Sequence, residues 1–230
     1  MLKHRILYLE DDEALGALTA GVLRREGFEV TWAKDGEEGL ALFNSHPPDL
    51  CIVDIMLPKL DGYSLVTAIR KTGHVAPVIF LSARVLTEDV LKGFEIGADD
   101  YMRKPCNIEE LIARMHRLLK KDGKPVVQAP QQRLTVGQYE YTPGTFELRH
   151  GDATVYLSPR AGELLSRMAT ATDRLLPRKE TLIDLWGDDT FFNGRSLDVF
   201  ISKLRKQLAA DDRIRIVNIR GQGYKLVIAG

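Results

Sequence analysis

Residues 50–58 read Leu50-Cys51-Ile52-Val53-Asp54-Ile55-Met56-Leu57-Pro58, an apolar run of strand character that delivers one carboxylate to its end. A continuous apolar run closed by a proline turn is the pattern of a strand buried on both faces, and open parallel sheets bind ligands outside the carboxyl ends of such strands. Taken alone, Asp54 reads as a turn aspartate capping whatever follows. Its meaning depends on what the rest of the chain brings to the same rim.

Working outward, short apolar runs alternate with helical periodicity through the first half. Residues 5–9, 29–33, 50–55, 78–81 and 100–103 have strand character, while 13–26, 36–44, 63–71, 87–96 and 108–120 have helical spacing. Asn107 before the last helix, with Glu110 three residues on, has the spacing of a capping box. Strands alternating with helices imply parallel strands joined by right-handed crossovers, hence a doubly wound five-stranded α/β sheet. From 121 to 133 the periodicity stops, and Asp-Gly-Lys-Pro followed by Gln-Ala-Pro-Gln-Gln reads as a linker.

A different grammar begins at 134. Residues 134–141, 146–150 and 154–157 read as short strands with turns at Pro143-Gly144 and Gly151-Asp152. Ser158-Pro159 opens a helix as N-cap and first helical residue. Further helices are expected over 178–186 and 195–208, then a hairpin over 214–219 and 224–228 turning at Gly221-Gln222-Gly223. The expected organisation is a domain over 1–120, a linker over 121–133 and a smaller α+β domain over 134–230.

At 230 residues, the chain is long enough for two domains that each bury a core. The formal net charge is zero, but residues 1–122 carry 16 Lys and Arg against 20 Asp and Glu, and residues 123–230 carry 16 against 12. Positive charge is concentrated further over 195–225, with eight cations and three anions, a candidate polyanion footprint. No apolar stretch approaches the roughly 20 residues that span a bilayer. Residues 5–9 are too short for a signal-peptide core, so a cytoplasmic protein without membrane partners is expected. Cys51 and Cys106 are too few for a disulfide framework or a zinc site and are expected as reduced thiols.

Three acids, Glu10, Asp11 and Asp12, follow the first strand. In the doubly wound order the first and third strands are neighbours, which sets Glu10 and Asp11 beside Asp54. Carboxylates crowded in this way require a cation, and their hard oxygens suit Mg²⁺ or Mn²⁺. Ser82 ends the fourth strand and Lys104 the fifth; each alone is an ordinary solvated or strand-end residue. A metal, a hydroxyl and an ammonium around one carboxylate form a phosphoryl-binding arrangement in which Asp54 attacks in line.

Glu10-Asp11-Asp12, residues 52–58, Leu81-Ser82-Ala83-Arg84, Gly97-Ala98-Asp99-Asp100-Tyr101 and Lys104-Pro105 resemble the motifs of the receiver domain of two-component response regulators. They run in the same order over residues 1–120. The resemblance implies the flavodoxin-like strand order 2-1-3-4-5 and phosphorylation of Asp54 by a sensor histidine kinase. It also implies Mg²⁺ held by Glu10, Asp11, Asp54 and the Met56 carbonyl, with phosphoryl oxygens bound by Ser82 and Lys104. Tyr101 is expected to move with Ser82, the bond before Pro105 to be cis, and the protein to form a homodimer on phosphorylation through Asp100, Glu110 and Arg114. Two positions depart from the family pattern. Cys106 stands where Phe is usual, and Val90 where close relatives carry a basic residue that pairs across the dimer.

In the basic half, Leu197, Ile201, Leu204 and Leu208 lie on one face of the helix expected over 195–208. The other side presents Arg195, Val199, Ser202, Lys203 and Lys206, with Arg205 on a flank and Phe200 at the border of the core face. A basic helix followed by a hairpin bearing Arg220 fits a major groove and the adjacent minor groove.

Leu157-Ser158-Pro159, Leu185-Trp186-Gly187, Arg195-Ser196-Leu197-Asp198-Val199 with Leu204-Arg205-Lys206, and Arg220-Gly221-Gln222-Gly223-Tyr224 resemble the winged-helix effector domain of the OmpR/PhoB-like transcription regulators. That implies a recognition helix over 195–208, Arg220 in the wing, double-stranded DNA as ligand and RNA polymerase as a further partner. The combined expectation is a DNA-binding transcription regulator switched by phosphorylation and not a turnover enzyme. It dimerises on tandem half-sites and is confined to self-directed phosphotransfer and autodephosphorylation. Two alternatives stand beside it. One is an aspartyl-nucleophile phosphatase, against which the sequence Glu10-Asp11-Asp12-Glu13 counts; the other is a receiver that dimerises without phosphate.

Overall fold

The computed structural model describes residues 3–83, 87–119 and 133–229. It divides into two compact units, 1–122 and 123–230. The expected linker, apart from Arg133, and Arg84 of the fourth-strand motif lie outside the described residues.

The first unit alternates throughout: β1 (Arg5–Leu9), α1 (Glu13–Arg25), β2 (Glu29–Ala33), α2 (Gly36–Ser45), β3 (Leu50–Asp54) and α3 (Gly62–Lys71). It continues with β4 (Val78–Ser82), α4 (Thr87–Ile96), β5 (Asp100–Arg103) and α5 (Ile108–Leu119). Among the described residues its strands form one parallel sheet in the order β2-β1-β3-β4-β5. The two-residue alternation splits each central strand between two cores. Leu7, Leu9, Cys51, Val53 and Phe80 pack on the face covered by α2 and α3, and Ile6, Tyr8, Ile52 and Leu81 on the face covered by α1 and α5. Every residue of β3 is buried, and each apolar side chain so placed contributes about 1.5–3 kcal/mol.

The register fixes the rim. Leu9 pairs with Val53, so Glu10 leaves its strand level with Asp54. Asp54 pairs with Leu81 and Ser82 with Arg103, so Ser82 and Lys104 each lie one step beyond. Gly62 opens α3 against this rim; a Cβ there would lie 2.3 Å from the Asp54 carbonyl oxygen, which is why the helix begins with Asp61-Gly62. Asp61 caps it by accepting from the backbone N–H groups of Tyr63 and Ser64.

The second unit holds β6 (Leu134–Val136), β7 (Tyr139–Thr142), β8 (Glu147–His150) and β9 (Ala153–Tyr156) as an antiparallel sheet. Then come α6 (Pro159–Thr170), β10 (Leu175–Pro177), α7 (Arg178–Trp186), α8 (Phe191–Gln207), β11 (Ile214–Ile219) and β12 (Gly223–Ile228), with β10-β12-β11 forming a second small sheet. Ser158 caps α6 with Pro159 at its start, and Leu197, Ile201, Leu204 and Leu208 are buried as their spacing implies. Among the described residues no helix is long and apolar enough to cross a membrane.

Several boundaries differ from expectation. Residues 134–141 are two strands, because Gly137 takes a left-handed φ of 61° and reverses the chain; the buried positions Val136, Tyr139 and Tyr141 fall out of two-residue phase between the first two, at the turn. β10 was not expected, since three residues ending in proline give no periodic signal; it is defined by its pairing with β12. The helix expected from 195 begins at Phe191, behind an N-cap at Thr190, with Gly194 in its first turn obscuring the pattern. At α5, Asn107 accepts from Glu109 N at 2.8 Å, but the Glu110 carboxylate turns to Arg114 in place of completing a capping box.

Candidate functional site

Glu10 and Asp54 are buried and Asp11 is exposed. One carboxylate oxygen from each of the three lies within 4.8 Å of the others. The Lys104 ammonium donates to Asp54 Oδ2 and, at 2.5 Å, to Glu10 Oε2. Asp54 Oδ1 accepts from the Met56 N–H at 2.9 Å, and Glu10 Oε2 also accepts from the Tyr8 hydroxyl at 3.2 Å. Burial pushes the Glu10 carboxyl above its ordinary value, opposed by Lys104 and reinforced by Asp54. Burial would depress the Lys104 ammonium, but its bonds to Asp54 and Glu10 hold it above the usual lysine value.

Three carboxylates thus face one ammonium in a low-dielectric rim that is open at Asp11. This donor set of hard oxygens, with water access on one side, fits a small divalent cation such as Mg²⁺. Ser82 is fully buried at the end of β4 and its carbonyl accepts from Lys104 N at 2.8 Å; the Lys104–Pro105 peptide is cis. Tyr101 is half-buried on β5, its ring 6.4 Å from that of Phe80 and 6.5 Å from that of Phe94. Phe80 in turn meets Tyr63 edge-on at 5.3 Å, and the Tyr63 hydroxyl donates to the Asp89 carbonyl in α4 at 3.0 Å.

In the second unit, Arg195, Ser202 and Lys206 are exposed along α8, and Val199 and Lys203 are half-exposed. Arg220 is exposed at the tip of the hairpin formed by β11 and β12. The helix therefore presents a polar, basic face with an exposed basic hairpin beside it.

Residues 6–116 match the response regulator receiver domain, and residues 152–226 match the C-terminal domain of transcriptional regulatory proteins. The chain is 41% identical over 226 residues to the transcriptional regulatory protein RprY of Bacteroides fragilis, covering 98% of this chain and 95% of that protein. It is 34% identical to the response regulator MprA of Mycolicibacterium vanbaalenii, covering 96% of each. The chain belongs to the OmpR/PhoB-like response regulators.

Among solved structures, the Francisella response regulator 1452 receiver domain superposes with a TM-score of 0.50 at 38% identity, covering 51% of this chain and 98% of that one. A mutant form of RitR superposes with a TM-score of 0.76 at 23% identity over 98% of this chain and 100% of that one, a likeness of fold. The regulator is accordingly a phosphorylation-dependent response regulator whose receiver implies a sensor kinase partner and whose C-terminal domain is a DNA-binding transcription-regulator domain.

Several residues named from the sequence of this response regulator make contacts that their spacing alone does not specify. Arg205, exposed on the flank, donates through Nε and Nη2 to the Ile216 carbonyl at 2.8 and 2.6 Å, so its guanidinium ties α8 to β11. Phe200 is fully buried, its ring 6.0 Å from that of Trp186, which makes it a core residue. Asp100 and Arg114 are 2% and 8% exposed and bonded to each other at 2.7 Å, with Glu110 also on Arg114 at 2.7 Å. The three pair within one receiver. Val90 is buried, which explains an apolar residue there, and Cys106 packs half-buried against the core beneath α1 and α5.

Residues that sequence reasoning passed over include Tyr63 and Arg178. Arg178 Nη1 bonds Asp198 at 2.6 Å and Nη2 bonds the Gly194 carbonyl at 3.0 Å. Nothing in the spacing of a lone arginine at a helix start, 20 residues from its partner, signals this contact.

Proposed function

We propose that Asp54 is the phosphoacceptor and that its phosphorylation drives dimerisation of the receiver, placing two effector domains on tandem half-sites of DNA. The observation that carries this reading is the convergence of Glu10, Asp11, Asp54 and Lys104 on one strand-end rim in a response regulator. A carboxylate oxygen of Asp54 attacks the phosphorus of a phosphohistidine; the P–O bond forms as the P–N bond breaks, and the imidazole leaves with the electron pair. Glu10, Asp11, Asp54 and the Met56 carbonyl would hold Mg²⁺, which supplies charge neutralisation for the transferring phosphoryl oxygens.

Lys104 occupies Asp54 Oδ2 before transfer, so the ammonium moves from the carboxylate to a phosphoryl oxygen as the reaction proceeds. The Met56 N–H holds the other oxygen and sets the orientation of the nucleophile. The Ser82 hydroxyl takes a second phosphoryl oxygen. Tyr101 follows it and changes the surface of α4, β5 and α5.

Arg195, Val199, Ser202, Lys203 and Lys206 face the major groove and Arg220 the minor groove, with Arg205 as a strut behind them. Asp100, Glu110 and Arg114 lie on the dimer face, where an intermolecular contact requires exchange of their present intramolecular bonds. Domain boundaries at 1–120 and 134–230, a cytoplasmic location and contact with RNA polymerase complete the proposal. Two-state linkage through a tether raises DNA affinity by effective concentration. Acetyl phosphate with Mg²⁺ should phosphorylate and dimerise the wild-type chain, while Asp54→Ala or added chelator should prevent both. Undiminished dimerisation of Asp54→Ala under these conditions would sink the reading.

A further inference from the structure

Arg178 joins the two parts of the regulator that would touch DNA. Its backbone N–H donates to the Gln222 carbonyl in the hairpin turn at 2.8 Å, two residues from Arg220. Its guanidinium reaches α8, bonding Asp198 Oδ1 at 2.6 Å and the Gly194 carbonyl at 3.0 Å. The Tyr224 hydroxyl, on the second residue of β12 just past the hairpin turn, donates to the same Asp198 oxygen at 2.6 Å and accepts from Arg178 Nη1 at 3.3 Å.

Two glycines make room for this knot. A Cβ at Gly194 would stand 2.8 Å from Arg178 Nη2, and one at Gly223 would stand 2.1 Å from the Leu176 carbonyl oxygen and 2.8 Å from Arg178 N. A cleft of about 790 Å³ opens alongside, walled by Lys179, Asp198 and Arg220.

An acid on a DNA-facing helix repels phosphate. Here the carboxylate of Asp198 is met by a guanidinium and a phenol, which turns a liability into a joint. We infer that Arg178, Asp198 and Tyr224 are positioning residues that hold the wing at a fixed angle to α8, so that Arg220 and the helix engage adjacent grooves together. The inference rests on the proposed wing contact of Arg220.

A double-mutant cycle on the full phosphorylated chain tests it, using a duplex selected from a random-sequence pool by the wild-type protein. In the wild-type background Arg220→Ala should weaken binding about tenfold, and in the Asp198→Asn background by less than about twofold, because a loosened wing no longer delivers the arginine. Tyr224→Phe, which removes one hydroxyl and leaves the ring, should give an intermediate loss of coupling and guards against a folding defect in Asp198→Asn. An equal loss from Arg220→Ala in every background overturns the joint alone. An Arg220→Ala variant that binds as tightly as wild type removes the wing contact and overturns both readings.

Discussion

The acid rim of the receiver and the basic face of the effector domain are built on opposite plans. At the rim, residues from three strands converge on one point, two of the carboxylates are buried, and Lys104 bonds partners far away in sequence. On α8 the basic residues lie side by side along one helix and are mostly exposed. Buried charges depend steeply on their partners, whereas exposed cations act through a screened field. Substitutions at the rim should therefore be large and mutually dependent, and those on the helix small and nearly additive.

The largest effect is expected from Lys104→Ala. Removing one member of a buried ionic cluster leaves Glu10 facing Asp54, a loss of about 3–5 kcal/mol where no other cation replaces it. Thermal melting of the receiver should fall sharply in the presence of chelator and recover when Mg²⁺ is added, while phosphate-driven dimerisation stays lost. A variant that melts like wild type in chelator would show that the ammonium is not what offsets the carboxylates, and the contrast between the two regions would narrow.

The same difference in plan decides what the sequence reveals. The rim could be read because strand ends in a parallel sheet share one edge, so register alone brings residues 10, 54, 82 and 104 together. The direction of Arg205 could not be read, because a flanking cation on a helix reaches solvent or a neighbouring carbonyl with equal ease, and the position of β11 decides between them. The pairing of Asp100 with Arg114 is hidden for a related reason: the sequence does not show which partner each charge takes, and packing leaves them 2% and 8% exposed and bonded to each other. Residues 134–141 differ again, since Val136 and Tyr139 stand three apart, a break in the two-residue alternation that coincides with the reversal at Gly137.

An intermediate effect distinguishes the acids of the two units. In the effector domain the bidentate Arg213 guanidinium, with N–H groups of Gln138 and Arg213, holds the Asp211 carboxyl well below the ordinary value of 3.8. A folded-state value depressed in this way gives stability that is present above the unfolded value and lost as pH falls through the folded one. Asp211→Asn should therefore lower the melting temperature of the effector domain by a constant amount between pH 7 and about pH 5, and the difference should shrink below about pH 4. A difference that persists unchanged at about pH 2 would assign the effect to the shape of the hydrogen bonds and not to charge.

The smallest effects separate two neighbouring cations on α8. Lys206 is exposed, and its loss should reduce the slope of log affinity against log salt by about one while leaving the melting temperature unchanged. Arg205 is bonded to the Ile216 carbonyl, so Arg205→Ala should leave that slope nearly intact and reduce stability by about 1 kcal/mol through the lost tie between α8 and β11. Measured together on the same duplex, the pair asks whether position on the helix or hydrogen-bond partner governs a cation's part in binding. Equal reductions in slope would mean that the guanidinium leaves Ile216 for phosphate when DNA arrives, and the helix would then act as a field of interchangeable charges. Unequal reductions would mean that even on this exposed face one basic residue serves the fold and its neighbour serves the ligand.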